Sequence, residues 1–459
     1  MDFSTARFSR AQDFYNTNRL WANNALEEAM VDLGRDADDA GVRPSLGLVG
    51  ATHARVPYER LPRDPAAETP DQRRWVSPGI SAGSSGERVA SVDAVRGLAM
   101  FFIIAGDPLA WALYDLSPER QGLLSVVVGF FSDQLMHVDW EGFHFYDFLF
   151  PLFVFITGVS IVLSLPRLVE REGKWAAHER VLRRSFLLFA LGLIYYGGLS
   201  TFWPEIRLLG VLQRIALCYL FASLLFLNLG TRGLVVALVS LLVGYWALMT
   251  FVPVPGIGAG MFAEDANLAR WIDAQYLPGK RYYSAYDYDP EGLLSTLPAI
   301  ATCLLGVFAG LLLKSTRTGP LQKVLWLMGV GAILVAAGHL WGLEFPVIKK
   351  IWTSSFVLVA GGYSALLLGA LYLVIDIWGR KAWATIFVWF GANAIALYMI
   401  NNVADFQGLA RRLVGGDVTV FLDARLASGM GSLVTVAVGI ALATVLARYL
   451  YHRKIFLRV

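Results

Sequence analysis

The sequence predicts an all-α membrane protein, a polytopic bundle of about ten transmembrane helices, or eleven. Hydrophobic residues make up 56% of the 459 residues and charged residues only 16%, and the mean hydropathy is +0.53. Soluble globular domains carry about 25% charged residues, so the chain is too apolar to be one. Apolar stretches of bilayer length recur from Arg96 onward and lack the alternation of barrel strands. The spans are therefore expected to be helices.

The same stretches divide the chain into two regions. Residues 88–459 are predicted to form a transmembrane domain, and residues 1–87 a polar, largely disordered cytoplasmic extension. The apolar piece Leu123–Phe131 is too short to cross a bilayer and is expected near the interface. The predicted spans lie at about 96–114, 147–165, 183–199, 207–228, 232–252, 292–313, 321–341, 351–376, 384–401 and 429–449.

Basic residues in the connecting loops predict the orientation of the bundle. They concentrate in the loop 166–182, in two later turns and in the C-terminal tail, which all fall on one side. That side is expected to be cytoplasmic, and both termini with it. The loops 115–146, 253–291 and 402–428 then face outward, and the protein is predicted to be multi-pass in a cell inner membrane or plasma membrane.

Charge and cysteine usage exclude several classes of function. Lys+Arg number 39 and Asp+Glu 36, a formal net charge of +3, which lacks the strongly basic balance of a nucleic-acid-binding protein. The two cysteines, Cys218 and Cys303, both lie in apolar stretches. Two cysteines build neither a disulfide framework nor a zinc site. We expect no nucleic-acid partner and no metal cofactor.

Polar side chains within the spans gather in the half of the bundle predicted to face outward. Such groups are costly in a bilayer and are candidates for function. Scattered structural pairs would not favour one leaflet, so this distribution predicts a polar cavity near the outer face. The residues are Asp107, Asp147, Gln213, Arg214, Asp289, Glu291, His339, Lys349, Lys350, Asn393, Asn401 and Asn402.

The loop Leu135–Gly142 holds the densest set of reactive groups. His137 is followed by Asp139 and Glu141, and a histidine beside a carboxylate can exchange a proton near neutral pH. The structural alternative is an interfacial loop histidine bonded to backbone. His144 competes with His137 on the same terms, whereas His53, His178 and His452 lie in polar segments predicted to be cytoplasmic.

At the inner end, the segment Arg88–Gly97 opens the first span. Asp93, Arg96 and the pair Arg183-Arg184 are candidates for holding the phosphates of a cytosolic anionic cofactor. The alternative is an ordinary capped helix start with a snorkelling arginine. A basic inner flank is expected in either case, so composition alone does not separate the two.

Six segments in order along the chain resemble motifs of the heparan-alpha-glucosaminide N-acetyltransferase family, a branch of the transmembrane acyltransferase superfamily. They cover most of the membrane domain, and the N-terminal extension has no recognised counterpart. The segments are Ser91–Gly97, His137–Gly142 with Asp147–Pro151, Gly210–Ile215, Tyr288–Thr296, Lys349–Phe356 and Gly391–Ile395.

The resemblance implies an enzyme that moves an acetyl group from cytosolic acetyl-coenzyme A to an acceptor across the membrane. In the lysosomal members the acceptor is a terminal glucosamine of heparan sulfate. The resemblance also implies that His137 is catalytic, as a base or as a transiently acylated nucleophile, with Asp147 or Asp107 orienting it.

The resemblance, together with the polar residues within the spans, also suggests which residues bind the substrate and the donor. Arg214 and Asn393 are candidates for polarising the carbonyl of the thioester. The substrate-binding set is Gln213, Arg214, Glu291, Lys349, Trp352 and Asn393, and the donor-binding set is Asp93, Arg96, Arg183 and Arg184.

Two positions depart from the family pattern. The family usually has asparagine where this chain has Asp107, near the outer end of the first span, and again before the lysine of the eighth-span motif, where this chain has Ile348. Both positions are expected to lie where the acceptor or the thioester carbonyl is held. Because of these two departures, the sequence does not decide whether the acceptor is an amino sugar or an envelope glycan. It does not decide between N- and O-acylation either.

Two other classes of function remain to be compared with an acyltransferase. A transporter or flippase of glycans or lipids also needs an outward polar cavity, and predicts discontinuous helices in two related halves. A scaffold without chemistry does not explain the costly intramembrane Arg214 and Asp107. The expected partners of an acyltransferase are acetyl-coenzyme A, a sugar or glycan acceptor and the lipid bilayer, with homodimerisation left open.

Overall fold

The computed structural model describes residues 89–116, 122–200, 202–283 and 287–457. The predicted extension 1–87 and Arg88 lie outside these ranges. Fourteen α-helices make up most of the described residues. The only sheet among them is a two-stranded antiparallel pair, β1 (Phe262–Ala263) with β2 (Ala266–Asn267). The prediction of an all-α membrane bundle is confirmed.

The helices follow the predicted spans closely. In chain order they are α1 (Ala90–Leu116), α2 (Leu123–Gln134), α3 (Phe145–Tyr195), α4 (Val211–Asn228), α5 (Thr231–Phe251), α6 (Leu268–Tyr276), α7 (Thr296–Lys314), α8 (Pro320–Trp341), α9 (Ser354–Leu371), α10 (Thr385–Ala392), α11 (Ala394–Ala404), α12 (Phe406–Val414), α13 (Asp417–Arg425) and α14 (Met430–His452). Short 3₁₀ turns at Gly198–Ser200 and Trp203–Glu205 precede α4, and a π-helical turn, Tyr372–Ile377, extends α9.

Eight of the described helices are long and apolar enough to cross a membrane, or nine if α10 and α11 count as one broken span. These two helices meet at 80° at Asn393. The 12-residue α2 is too short to cross, as predicted for Leu123–Phe131. The prediction of ten spans differs because the stretches 147–165 and 183–199 both fall on α3.

The helix α3 consists of two halves that join at Gly173. Its 51 residues would extend about 76 Å as a straight helix, more than twice the roughly 30 Å of a bilayer core. Gly173 has φ 88° and ψ 168°, a conformation that breaks the helix and that glycine adopts readily. The first half packs in parallel on α7, where Gly306 contacts the backbone of Phe155 and Gly310 contacts Val162.

The second half of α3 runs antiparallel to α4. Gly192, near its end, lies against the side chain of Gln213 at the start of α4. His178, near its beginning, is bonded at 3.2 Å to Asn228 at the end of α4.

The starts of α4 and α7 lie at the same end of the bundle, because the guanidinium of Arg214 on α4 donates to the hydroxyl of Ser295, which precedes α7. The two halves of α3 therefore run in opposite directions. With α3 folded back at Gly173 and α10 and α11 taken as one broken span, every predicted span falls on a helix.

The helices differ in how much of their surface is buried. A large apolar cluster fills the centre of the bundle, built mainly on α1, the first half of α3, α4, α7 and α9. A smaller cluster, packed against Trp140 and Phe262 of β1, includes Tyr245, Phe345 and Ile348. Few residues of α5 and α8 are buried, and residues such as Val239 and Ile333 lie on the surface. These apolar faces are suited to contact lipid.

The folded-back α3 predicts that Lys174 and Lys280 lie on opposite sides of the membrane. Lys174 follows the Gly173 turn, near the end of α4, whereas Lys280 is bonded through its backbone to Ile206, near the start of α4. Both cysteines of the chain are buried, so background labelling is low. In sealed cells, Lys280→Cys should react with an impermeant thiol reagent, and Lys174→Cys only after permeabilisation. Reaction of both from the same side would contradict the hairpin.

Candidate active site

The densest cluster of reactive side chains centres on His137, in the loop between α2 and α3. Its Nδ1 lies 2.7 Å from Oδ1 of Asp147, in the first turn of α3. The imidazole is 48% exposed and the carboxylate only 1%. An ionised carboxylate can only accept hydrogen bonds, so this contact holds the proton on Nδ1. It leaves Nε2 as the basic nitrogen, accessible to a substrate.

The carboxylate of Asp147 is fixed by the helix that carries it. Its Oδ2 accepts hydrogen bonds from the backbone N–H of His144 at 3.1 Å and of Val138 at 3.3 Å. The start of a helix has unpaired N–H groups and a positive dipole end, which both favour a carboxylate. Asp147 thereby caps α3 and ties the His137 loop to it.

Two further outer segments hold the loop in place. The N–H of Gly142 donates to the carbonyl of Val347 at 2.9 Å, and Glu141 pairs with Ile348 in an isolated bridge. The indole Nε1 of Trp140 donates to the carbonyl of Phe262 in β1 at 2.9 Å. These contacts fix the loop against the segments 347–348 and β1.

Lys349 brings a positive charge directly to the histidine. Its Nζ lies 2.9 Å from Nδ1 and 3.3 Å from Nε2 of His137, and 3.4 Å from Oδ1 of Asp147. Burial lowers the pKa of His137, and the nearby Lys349 ammonium lowers it further. Burial also lowers the pKa of Lys349, with Asp147 opposing the change. A histidine with a lowered pKa is neutral, and so able to accept a proton, over a wider pH range.

The position of Lys349 depends on a strained turn. Trp352 has φ 53°, a left-handed conformation that is rare for a bulky residue. Its N–H bonds to the carbonyl of Lys349 at 2.9 Å, and its buried indole donates to Thr302 at 3.1 Å. Strain of this kind costs about 1–3 kcal/mol and is common at functional sites. Here it turns Lys349 toward His137. Trp352, predicted to bind substrate, is buried in the turn that carries Lys349 and holds that turn in place.

Asp107 faces the same space from α1. Its side chain is exposed, and Tyr146, His137 and Lys349 are close enough to act on it electrostatically. The ring of Tyr146 packs against Gly106 and lies 4.7 Å, centroid to centroid, from His137. Asp107 therefore belongs to the cluster but does not orient His137, which Asp147 holds directly.

Arg214, Gln213 and Asn393 are buried without full sets of hydrogen bonds. Arg214 lies 4.9 Å over the ring of Trp352, and its Nε and Nη1 make no hydrogen bond within the described residues. Both amide atoms of Gln213 and of Asn393 are likewise unpaired there. None of the three residues bonds to His137 in the described structure.

Glu291 is engaged by a residue that the sequence analysis did not select. Arg207 is buried, pairs with Glu291 at 2.7 Å and with both oxygens of Asp289 at 2.6 and 2.7 Å, and is stacked between two tyrosines. This network ties the start of α4 to the segment before α7. The signal was available, because Arg207 opens the predicted span 207–228 from the outer side.

Two further positions have structural roles. Ile348 is fully buried in the smaller apolar cluster, and the expectation that this departure lies where an acceptor is held stays a prediction. His144 is the N-cap residue of α3, and its Nδ1 lies 3.0 Å from the carbonyl of Met136. Of the two competing histidines, only His137 has a carboxylate partner.

A second candidate site lies at the other end of α1 and of the first half of α3. A cavity of about 400 Å³ is lined there by Asp93, Arg96, Ser160, Arg167, Arg171, Arg180, Arg184 and Tyr219, among others. Arg96 donates to Ser160 at 2.7 Å and pairs with Asp93 at 3.1 Å. Arg183, predicted with Arg184, is exposed and does not line this cavity.

Comparison with known proteins agrees with this arrangement. A family model described as the catalytic region of heparan-alpha-glucosaminide N-acetyltransferase matches residues 88–334, more than half of the chain. The chain belongs to this family. The matched range contains His137, Asp147 and the lining of the second cavity, whereas Lys349 and Asn393 lie beyond it.

Two curated relatives extend the similarity. The heparan-alpha-glucosaminide N-acetyltransferase of Homo sapiens is 28% identical over 86% of this chain and 70% of its own length. The protein of the same name from Mus musculus is 26% identical over 70% of this chain. The chain spans about half, 54%, of the mouse protein. Both names describe an N-acetyltransferase, so the prediction of a membrane acyltransferase is confirmed at the level of the family.

His137→Ala should lower the turnover of acyl transfer by about 10²–10⁴-fold, the usual contribution of a general base. His144→Ala is the control, because it removes a histidine seven residues away that caps α3 without a carboxylate partner, and it should cost much less. Turnover is measured with saturating donor, and donor binding should be similar in both variants. Near-parental turnover in His137→Ala together with collapse in His144→Ala would show that the wrong histidine was assigned.

Lys349→Gln should move the acid limb of the pH–rate profile to higher pH. Removing this charge relieves one of the two causes that lower the pKa of His137, so the imidazole would become protonated at a higher pH than in the parent. Lys350→Gln is the matched control, since Lys350 pairs with Glu264 at 2.9 Å. An acid limb that stays in place in Lys349→Gln, or moves equally in both variants, would exclude this electrostatic role.

Proposed function

We propose that this protein transfers an acetyl group from cytosolic acetyl-coenzyme A to a sugar acceptor at the outer face of the membrane. The observation that carries the proposal is that the first half of α3 connects the two candidate sites. Asp147 opens this half beside His137, and Ser160 lies 13 residues later in the basic cavity, about 20 Å along the helix. The pantetheine arm of coenzyme A is long and thin enough to bridge such a distance.

The basic cavity suits the phosphates of the donor. Arginine guanidinium groups bind phosphate through paired, charge-assisted hydrogen bonds. The Nε of Arg184 is buried without a partner in the described structure, and its guanidinium lies 4.6 Å over the ring of Tyr219. A volume of about 400 Å³ is within the usual range of ligand sites. The basic residues around it favour a cytoplasmic location for this end and for both termini.

The unpaired polar groups inside the bundle support a path between the sites. Gln213, Arg214 and Asn393 each present hydrogen-bonding atoms that no described residue satisfies. Buried polar groups without partners are costly, so their presence favours a polar ligand there. The two amides and the hydroxyl of pantetheine provide such partners.

At the outer end, the residues around His137 fit acyl transfer to a sugar. The acceptor nitrogen or oxygen attacks the thioester carbonyl while Nε2 of His137 takes its proton. The Lys349 ammonium, next to Nε2, stabilises the negative charge that develops on the carbonyl oxygen. The imidazolium, stabilised by Asp147, returns the proton to the sulfur of coenzyme A as the C–S bond breaks.

A transporter or flippase is the alternative to an acyltransferase, and one feature of the fold resembles those of transporters. The break between α10 and α11 at Asn393 is a discontinuous helix of the kind that transporters use in pairs. The described residues contain one such broken pair, not a matched set in two halves. We therefore retain acyl transfer.

The direct test is to incubate membranes with acetyl-labelled acetyl-coenzyme A and a panel of amino sugars, acetylated sugars and envelope fractions. The parent protein should transfer label to at least one of them, and His137→Ala should not. Uptake or flipping of a sugar without any label transfer would establish the transporter instead.

Donor binding can be tested with two adjacent arginines. Arg184→Gln should raise the KM for acetyl-coenzyme A by about 10–100-fold, the value of one charge-assisted contact to phosphate. Arg183→Gln removes the same charge from the neighbouring residue, which is exposed outside the cavity, and should leave KM within about two-fold. Equal effects in both variants would show that the cavity is not the phosphate site.

A further inference from the structure

The first turn of α1 is capped by a carboxylate from a distant part of the chain. Oδ1 of Asp376 accepts the backbone N–H of Ala90 at 3.1 Å, and Oδ2 accepts that of Ser91, also at 3.1 Å. The side chain that caps a helix usually comes from the residue just before it, whereas Asp376 lies 286 residues after Ala90. This carboxylate therefore joins the end of α9 to the start of α1.

Asp376 belongs to the π-helical turn that extends α9. The turn comprises Tyr372–Ile377, and Ile375 within it is buried in the central apolar cluster. The i→i+5 bonds of such a turn add one residue to it and so change which side chains face a neighbouring helix. π-Helical turns are rare and are frequently found at functional sites. Here the turn brings a carboxylate to N–H groups that have no partner inside α1.

The capped turn forms part of the basic cavity proposed to hold the donor. Val92 and Asp93 of this turn line that cavity, whereas Asp376 does not. Asp93 pairs with Arg96 at 3.1 Å, and Arg96 donates to Ser160 on α3 at 2.7 Å. Asp376 thus acts on the cavity without lining it. It fixes the first turn of α1, and through Asp93 it fixes the guanidinium of Arg96.

The rest of α1 does not depend on this cap, because α10 holds it. The backbone of Gly97 lies against the carbonyl of Phe387, and Gly391 lies against the carbonyl of Asp93. Contacts this close leave no room for a side chain at either glycine. Loss of the cap is therefore expected to free the first turn while the remainder of the helix stays packed.

We propose that Asp376 is a positioning residue of the donor site. By capping α1 it holds Asp93, and with it the guanidinium of Arg96, in the geometry that receives the donor phosphates. This inference rests on the function proposed above and adds a residue to its donor site. The carboxylate also occupies two N–H groups of the kind that bind anions at helix starts. With these groups occupied, the phosphates are left to the arginines.

The sign of the effect separates this role from one of charge alone. Removal of a carboxylate near a phosphate site would by charge alone tighten donor binding. Without the cap, however, the first turn must become ordered when the donor binds, and the fraction of protein that is ready to bind falls. A positioning role for Asp376 therefore predicts that its removal weakens donor binding.

The test measures the Kd for coenzyme A on the purified full-length protein, together with KM and kcat for acetyl transfer. Asp376→Ala should raise Kd and KM by about 5–30-fold, as expected for loss of a helix cap, with kcat at saturating donor within about two-fold. Asp376→Asn retains one oxygen acceptor and should show a smaller rise. Asp423→Ala is the matched control, since Asp423 accepts the N–H of Gly431 at 2.7 Å at the start of α14, and should change neither constant.

A double-mutant cycle tests whether Asp376 acts through Arg96. In an Arg96→Gln background, Asp376→Ala should raise Kd by no more than about two-fold further. The inference would be overturned by an unchanged or lowered Kd in Asp376→Ala, by a loss confined to kcat, or by effects of the two substitutions that multiply. If Asp376→Ala does not fold, a Kd in Asp376→Asn equal to that of the parent overturns it. A parent protein that binds no coenzyme A would instead overturn the proposed function.

Discussion

The active-site end of this protein depends on the buried carboxylate of Asp147. One oxygen holds Nδ1 of His137 at 2.7 Å and lies 3.4 Å from Nζ of Lys349. The other accepts the backbone N–H of Val138 in the loop and that of His144 at the start of α3. A buried charge is tolerated only when its hydrogen bonds and counter-charges are complete. Completing them brings together the loop before α3, the first turn of α3 and the turn before α9. The geometry of the candidate active site is thus a consequence of satisfying one charge.

The same requirement shapes the neighbouring outer loops. Arg207 is buried beside Asp289 and Glu291, and their pairing fixes the start of α4 against the segment before α7. Lys350 pairs with Glu264 and lies 4.6 Å over Tyr283. Charges that a bilayer would reject are therefore matched with one another at the outer end.

Much of this architecture could be predicted from the sequence, because it depends on local patterns. Span length and apolarity placed the helices, and the bias of polar groups toward one half of the bundle indicated the end where His137, Asp147 and Lys349 lie. The ten-residue spacing of His137 and Asp147, together with the family motif, led to the pair whose side chains lie 2.7 Å apart. Asp147 could be recognised because it begins a span, where a carboxylate also caps the helix.

The parts that could not be predicted depend on contacts between distant segments. Ile348 directly precedes the motif that begins at Lys349, but its side chain is buried in the smaller apolar cluster, and the spacing did not indicate this. Arg183 and Arg184 are adjacent, yet only Arg184 lines the basic cavity, because neighbouring helix positions point about 100° apart. Arg180, one turn earlier, lines it instead and was not selected. The turn of Trp352, which directs Lys349 to His137, requires a left-handed backbone that local sequence does not favour.

The central claim is that one bundle joins a donor site at its inner end to a base at its outer end. It is tested most directly in proteoliposomes of uniform orientation, with labelled acetyl-coenzyme A on one side of the membrane and glucosamine on the other. The account predicts label transfer only when the donor is on the side of the Arg96–Arg184 cavity and the sugar is on the side of His137. Transfer that requires donor and acceptor on the same side would contradict it.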